Sequence, residues 1–330
     1  MRMKLRIANC ELRTPPDRAA SRSDADSSFE IRPSKFARAF TLVEVLVVVV
    51  LLAVIVLALM AVFNSTQSAF RASVTQADVL ESGRATMDLM TEDLRAMAPS
   101  LGVSNNLTGA VNFYANTNVN EQPLIQPMVG GSSTRTNVLE NFFILSRGNA
   151  NGVATWYGVG YAVATNASGS LYSLYRFAVN YPVAAPTNYP ALIFSRDFGN
   201  FLANITSVTN IIGSHLMDGV VSLTVRAYDV NGGLMTNRFV YSGGNTNPVI
   251  NQNVVYFPPA LGQVGFEMFS NTLPASVEIE MGVLEDRTLQ RAESIPLASA
   301  QANYLAGAAG QVHVFRQRVS IPNVDPSAYQ

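Results

Sequence analysis

One stretch constrains this chain more than any other. From Val45 to Phe63 it carries no charge, no Gly and no Pro. That is about the length of helix that crosses the hydrocarbon core of a bilayer. Inside hydrocarbon a single span must satisfy its own backbone hydrogen bonds, so helix is the only open conformation. The β-branched run Val47 to Val50 favours a strand in water, and lipid overrides that preference. One residue does not suit a plain anchor. Glu44 lies at the head of the apolar run, where a carboxylate is costly unless it is paired, neutralised or functional. A charge that snorkels to the membrane edge is the plainer alternative.

Charge is unevenly placed. The first 39 residues hold nine Lys or Arg against five acids, and the remainder holds 13 basic and 18 acidic residues. Positive charge ahead of the span implies a cytoplasmic N-terminus, with everything after Phe63 outside the inner membrane. No basic patch points to nucleic acid. Residues 1–39 are polar, aperiodic and read as a disordered leader. Cys10, the sole cysteine, falls in that leader. A secretory signal is cleaved after its apolar region. Here a small residue, Ala39, stands before that region, between the basic residues and the apolar run.

That junction carries a resemblance. Lys35 and Arg38, then Ala39, then Phe40-Thr41-Leu42-Val43-Glu44 and the apolar helix are similar to the prepilin signal of type IV pilins and type II secretion pseudopilins. The resemblance implies cleavage by prepilin peptidase between Ala39 and Phe40 and N-methylation of Phe40. It implies that Glu44 meets the free amine of a neighbouring subunit during assembly, a buried carboxylate matched to a buried ammonium. Ala39 stands where the family prefers Gly, and the leader is longer than most. The implied partners are other pilins or pseudopilins through the N-terminal helix, the peptidase and the inner membrane.

Beyond the span, Phe63, Phe70, Val74, Ala77, Leu80, Met87, Met90, Leu94 and Met97 recur at helical spacing. The stripe predicts a stalk helix that carries the C-terminal domain and stops just before Pro99. One helix from Phe40 to Met97 would be about 87 Å long. The expected organisation is a cleaved leader (1–39), a transmembrane helix (40–63), a helical stalk (64–98) and a globular β-rich domain (99–330). Leu101 to Leu139 reads as loop. Strands are expected at Asn141–Arg147, Ala154–Ala164, Leu171–Val179, Leu192–Arg196, Gly219–Val230, Leu234–Tyr241, Gly265–Phe269, Ser276–Leu284 and Val312–Ser320, with a hairpin turn at Asn231-Gly232-Gly233. Asp286 to Ala309 reads as helix broken by Pro296. The fold class is α+β: a long helix, then a mainly antiparallel sheet.

Later segments narrow the resemblance. Trp156 to Tyr161 with Leu171 to Arg176 is similar to two paired strands of the J-type minor pseudopilin. His215 to Asp229 and Leu273 to Met281 resemble two of its later strands. The Asn-rich insertions and the tail after Asp286 depart from it.

No catalytic constellation emerges. His215 and His313 lack a metal-ligand cluster. Asp229-Val230-Asn231-Gly232 has the opening rhythm of a calcium loop without its closing Glu, so a hairpin turn is the stronger reading and calcium the one cofactor left open. Glu278 and Glu280 share a strand face and read as solvated charge. No phosphate loop or Ser/His/Asp set stands out. The chain reads as a substrate of processing enzymes, not an enzyme. Three functions follow: a minor pseudopilin at the tip or initiation complex of a type II secretion pseudopilus; a minor type IV pilin for adhesion, motility or DNA uptake; or a single-span anchored binding protein with no filament.

Overall fold

The computed structural model describes residues 41–100, 109–118, 121, 123–128, 133–165, 172–184, 189–205, 213–235, 249–251, 253–257, 260 and 262–329. The leader, and residues 236–241 of the strand expected at Leu234–Tyr241, lie outside them. The chain divides into two compact units, Met1–Val62 and Phe63–Gln330. The helix α1 (Leu42–Arg95) contributes to both.

In the first unit, residues 41–62 are exposed throughout, and Val45 to Val62 form helix without a polar position. A helix apolar on every side is stable only where its surroundings are apolar too. It is the one helix among the described residues long and apolar enough to cross a membrane.

In the second unit, α1 leaves its helical path at Arg95 and the chain turns to pair with a sheet, Met97 opposite Ser146 and the Ala98 N–H donating to the Leu145 carbonyl at 3.0 Å. The stripe expected to dock as a whole divides in two. Met87, Met90, Leu94 and Met97 are buried, together with Val79 outside the stripe, whereas Phe63, Phe70, Val74 and Leu80 are exposed. At 3.6 residues per turn, Phe70, Val74 and Ala77 lie on the far side of the helix from Gly83, Met90 and Leu94. Period alone could not separate two faces that drift past one another. At Gly83 an added methyl would overlap the Phe315 ring, so helix and sheet meet closely there.

Thirteen strands follow among the described residues: β1 (Val111–Thr117), β2 (Ile125–Pro127), β3 (Thr134–Thr136), β4 (Glu140–Ala150), β5 (Val153–Thr165), β6 (Tyr172–Pro182), β7 (Gly213–Asp218), β8 (Val220–Tyr228), β9 (Val249–Asn251), β10 (Val254–Tyr256), β11 (Phe266–Phe269), β12 (Ser276–Leu284) and β13 (Val312–Ser320). Eight form an antiparallel sheet in the order β7-β6-β5-β4-β1-β11-β10-β9; three form a second sheet, β13-β12-β8; β2 and β3 form a hairpin. The chain is thus α+β, a long apolar helix followed by a mainly antiparallel domain.

The large sheet is covered on both faces, and its sequence shows it. In β4, Phe142 and Ile144 enter one apolar layer, and Phe143 and Leu145 enter the other. Alternation at period two sends neighbours to opposite sides. The first layer holds the buried part of α1 and the inner face of the small sheet, with Leu223, Val225, Ile279 and Met281. The second is closed by a helical segment: α2 (Tyr189–Leu192), a π-helical turn at Ile193–Phe198, and α3 (Gly199–Asn204). Here the strand expected at Leu192–Arg196 is wrong. A short apolar run carries too little period to separate strand from helix. Its Ile193, with Phe198 and Phe201, roofs the sheet. Gly158 and Gly160 of β5 make this possible, because a methyl on either would overlap Ile193 or Phe198.

Two further corrections concern connections. Leu101 to Leu139 is not all loop; β1 lies inside it, between β4 and β11. His215 to Asp229 is not one strand. Gly219, at φ 77°, ends β7 in the large sheet, and β8 begins in the small one. Beyond β12, α4 (Asp286–Glu293) and α5 (Ala298–Gly307) flank Pro296 as expected.

Candidate functional site

Thr41 immediately precedes α1, and Glu44 is its third residue. Thr41 Oγ1 accepts from the Glu44 N–H at 3.3 Å, while Glu44 Oε2 accepts from the Thr41 N–H at 3.0 Å and from the Thr41 hydroxyl at 3.0 Å. This reciprocal arrangement satisfies two donors that a helix start otherwise leaves unmet. It also sets a negative charge at the positive end of the helix. The carboxylate is therefore fixed at the mouth of the span, with its hydrogen bonds gathered on one oxygen. Sequence spacing alone held this signal, a Thr with a Glu three residues on. Ala39 and Phe40 lie outside the described residues.

A second site, missed from sequence, ties α1 to the large sheet. Arg176 of β6 donates to Asp93 of α1 through Nε at 2.9 Å and Nη2 at 3.0 Å. The Tyr161 hydroxyl of β5 donates to the same carboxylate, and Tyr161 stands directly opposite Arg176. Burial, then the Asp93 charge, pushes the Tyr161 hydroxyl above its ordinary value, so it stays a donor. The available hint was an acid beside Leu94 on the helix face that buries Met90 and Met97.

The other sequence candidates each contact neighbouring side chains or backbone. His215 pairs with Asp218 at 2.8 Å, and Ser173 donates to the same oxygen at 2.6 Å. His313 lies 3.3 Å from Glu285. Among the described residues no group of three or more His, Cys, Asp or Glu could hold a metal. Asp229 Oδ1 accepts from the Asn231 N–H at 2.9 Å and the Gly233 N–H at 2.7 Å, which closes the hairpin turn. Glu278 is not solvated. It is buried between Arg316 at 2.8 Å and Arg226 at 3.0 Å, and Glu280 lies 3.7 Å from Arg226. β12 is the central strand of the small sheet, so its outer face is flanked on both sides.

Compared with known families, residues 34–60 match the prokaryotic N-terminal methylation motif, a stretch that includes Ala39, Phe40, Thr41 and Glu44. No curated protein and no solved structure matches the chain.

Proposed function

We propose that this chain, prepilin-like at its N-terminus, is a minor pseudopilin of a type II secretion pseudopilus, placed at the filament tip or in the complex that starts it. The reading rests on one observation: an acid seated at the head of a helix that is apolar and exposed all round, within a matched methylation motif. In this account prepilin peptidase cuts between Ala39 and Phe40 and the new Phe40 amine is methylated. Glu44 then receives the ammonium of an adjacent subunit and sets the axial register between helices. Lys35, Arg38 and the other leader cations keep the N-terminus cytoplasmic and place the β-rich domain in the periplasm. The chain works as a structural part and carries out no chemistry. Support for the J-type assignment comes from the segments around Tyr161 and Arg176, which pair as adjacent antiparallel strands.

The test is Glu44→Ala. The variant should insert in the membrane and keep a folded domain, yet be lost from filaments purified with the other pilin-like subunits. Normal incorporation of Glu44→Ala would overturn the proposal and favour an anchored protein without a filament.

A further inference from the structure

Glu267 lies on the central strand of a three-strand patch, directly opposite Tyr114 of β1 and Val255 of β10. Its neighbours Phe266 and Met268 turn to the first apolar layer and Phe269 to the second, so the Glu267 side chain shares the second face. That face is aromatic: Tyr114 and Phe257 both pack there, and the Phe194 ring lies 5.0 Å from that of Tyr114. The Tyr114 and Phe257 rings are 6.3 Å apart and inclined at 74°. They form a corner, not a stack. Two residues before Glu267, Gly265 takes the Phe257 N–H on its carbonyl at 2.8 Å and packs so closely on Asn116 that a methyl would overlap it.

The Glu267 carboxylate has no counter-charge beside it among the described residues. Among the described residues no cation comes within ion-pair distance of it. Burial alone pushes its carboxyl up to about 7, and burial, then the Glu267 charge, raises the Tyr114 hydroxyl to about 12. A half-buried acid is ordinarily paired or bonded. Here the aromatic corner and the acid together offer what an organic cation needs, ring electron density and a negative charge in one partly dry place.

We propose that Glu267, Tyr114 and Phe257 form a binding site for an alkylammonium ion, the group that ends a lysine side chain. A planar guanidinium suits a flat ring face and a forked acceptor. A corner of two rings suits a compact, rounded ion. The donor is not another copy of the described domain, because the chain has no lysine after Lys35. It is a free amine or a lysine of a different protein. This site is independent of the filament reading, and each can fail alone.

The test uses the full chain in detergent, titrated calorimetrically with n-butylammonium chloride at constant ionic strength, with 1-butanol as the neutral counterpart. The wild type should saturate in the millimolar range, as expected for one small cation. Glu267→Gln, matched in size, should bind at least about tenfold more weakly, and Phe257→Leu several-fold more weakly, each with the far-ultraviolet circular dichroism of the wild type. A blocked lysine, N-acetyl-lysine amide, separates the sources. Binding close to that of butylammonium assigns the site to a protein-borne lysine, and binding of butylammonium alone assigns it to a small amine. No saturation by butylammonium, equal binding of butanol, or equal affinity in Glu267→Gln would overturn the proposal. Should Glu267→Gln fail to fold, Phe257→Leu and the butanol comparison carry the test.

Discussion

Arg176 holds Asp93 in a forked grip, Nε to Oδ2 at 2.9 Å and Nη2 to Oδ1 at 3.0 Å. The contact reaches across 83 residues of sequence and joins the stalk end of α1 to the large sheet. Both side chains are mostly buried, and Tyr161 completes the acid's shell. Removing one partner of such a pair leaves the other uncompensated, at a cost of about 3 kcal/mol. Arg176→Ala and Asp93→Ala should each lower domain stability by that order, and the double variant should lose less than their sum. Arg176→Lys should not rescue, since an ammonium cannot fork. Urea unfolding of the four proteins checks this; additive losses would exclude the grip.

A second prediction concerns the roof over the large sheet. A methyl at Gly160 overlaps the Phe198 ring. Gly160→Ala should cost about 1–3 kcal/mol, the usual range for overpacking. Adding Phe198→Leu should recover part of that loss. Recovery would show that the ring is the obstacle, whereas a purely additive double variant would not.

Much of this architecture was legible in the residues, and the failures have physical causes. Ser276–Leu284 and Val312–Ser320 are strands with the bounds expected of them. Glu44 stood out because the run after it is so uniformly apolar. Strand β1 was hidden by its asparagines. Asn112 is fully buried at an irregularity in the pairing, its amide donating to Ser270 and Thr272 and accepting from Ser100. A polar residue spent inside looks like a loop residue until its partners, some 160 residues away, are known. The Asp93–Arg176 grip was invisible for the same reason. Glu278 misled because Arg226 of one neighbouring strand and Arg316 of the other flank it, which sequence order does not reveal.

Acid should favour the fold through Glu140. This side chain is buried and accepts from the Val225 N–H, beside the parallel bridge of Leu139 with Leu223 that joins the two sheets. Burial pushes its carboxyl up to about 7 from an ordinary value of 4.5, against the pull of the Val225 bond and the Arg226 charge. Between those two values the folded chain keeps a proton that the unfolded chain has lost. This contribution is therefore fullest below about pH 4.5 and falls as pH rises towards 7. Glu267 acts in the same direction. Urea midpoints at pH 5 and pH 7.5 should show a smaller fall in Glu140→Gln than in the wild type. An equal fall would remove Glu140 from the account.

The exposed half of the stalk stripe predicts a separation of folding from assembly. Phe70 is 70% exposed, on the side of α1 away from the buried Met90 and Leu94. Phe70→Ser should change domain stability by no more than about 0.5 kcal/mol, as is usual for a surface position. It should reduce recovery with partner subunits. Unchanged recovery would mean that this face meets no other helix.

The account stands or falls at the junction of Ala39 and Phe40, and intact-mass and N-terminal peptide analysis of the protein recovered from its native membrane reads that junction directly. The prediction is a chain that begins at Phe40 with one added methyl on its amine. A chain that still begins at Met1, or a Phe40 amine without the methyl, would contradict it.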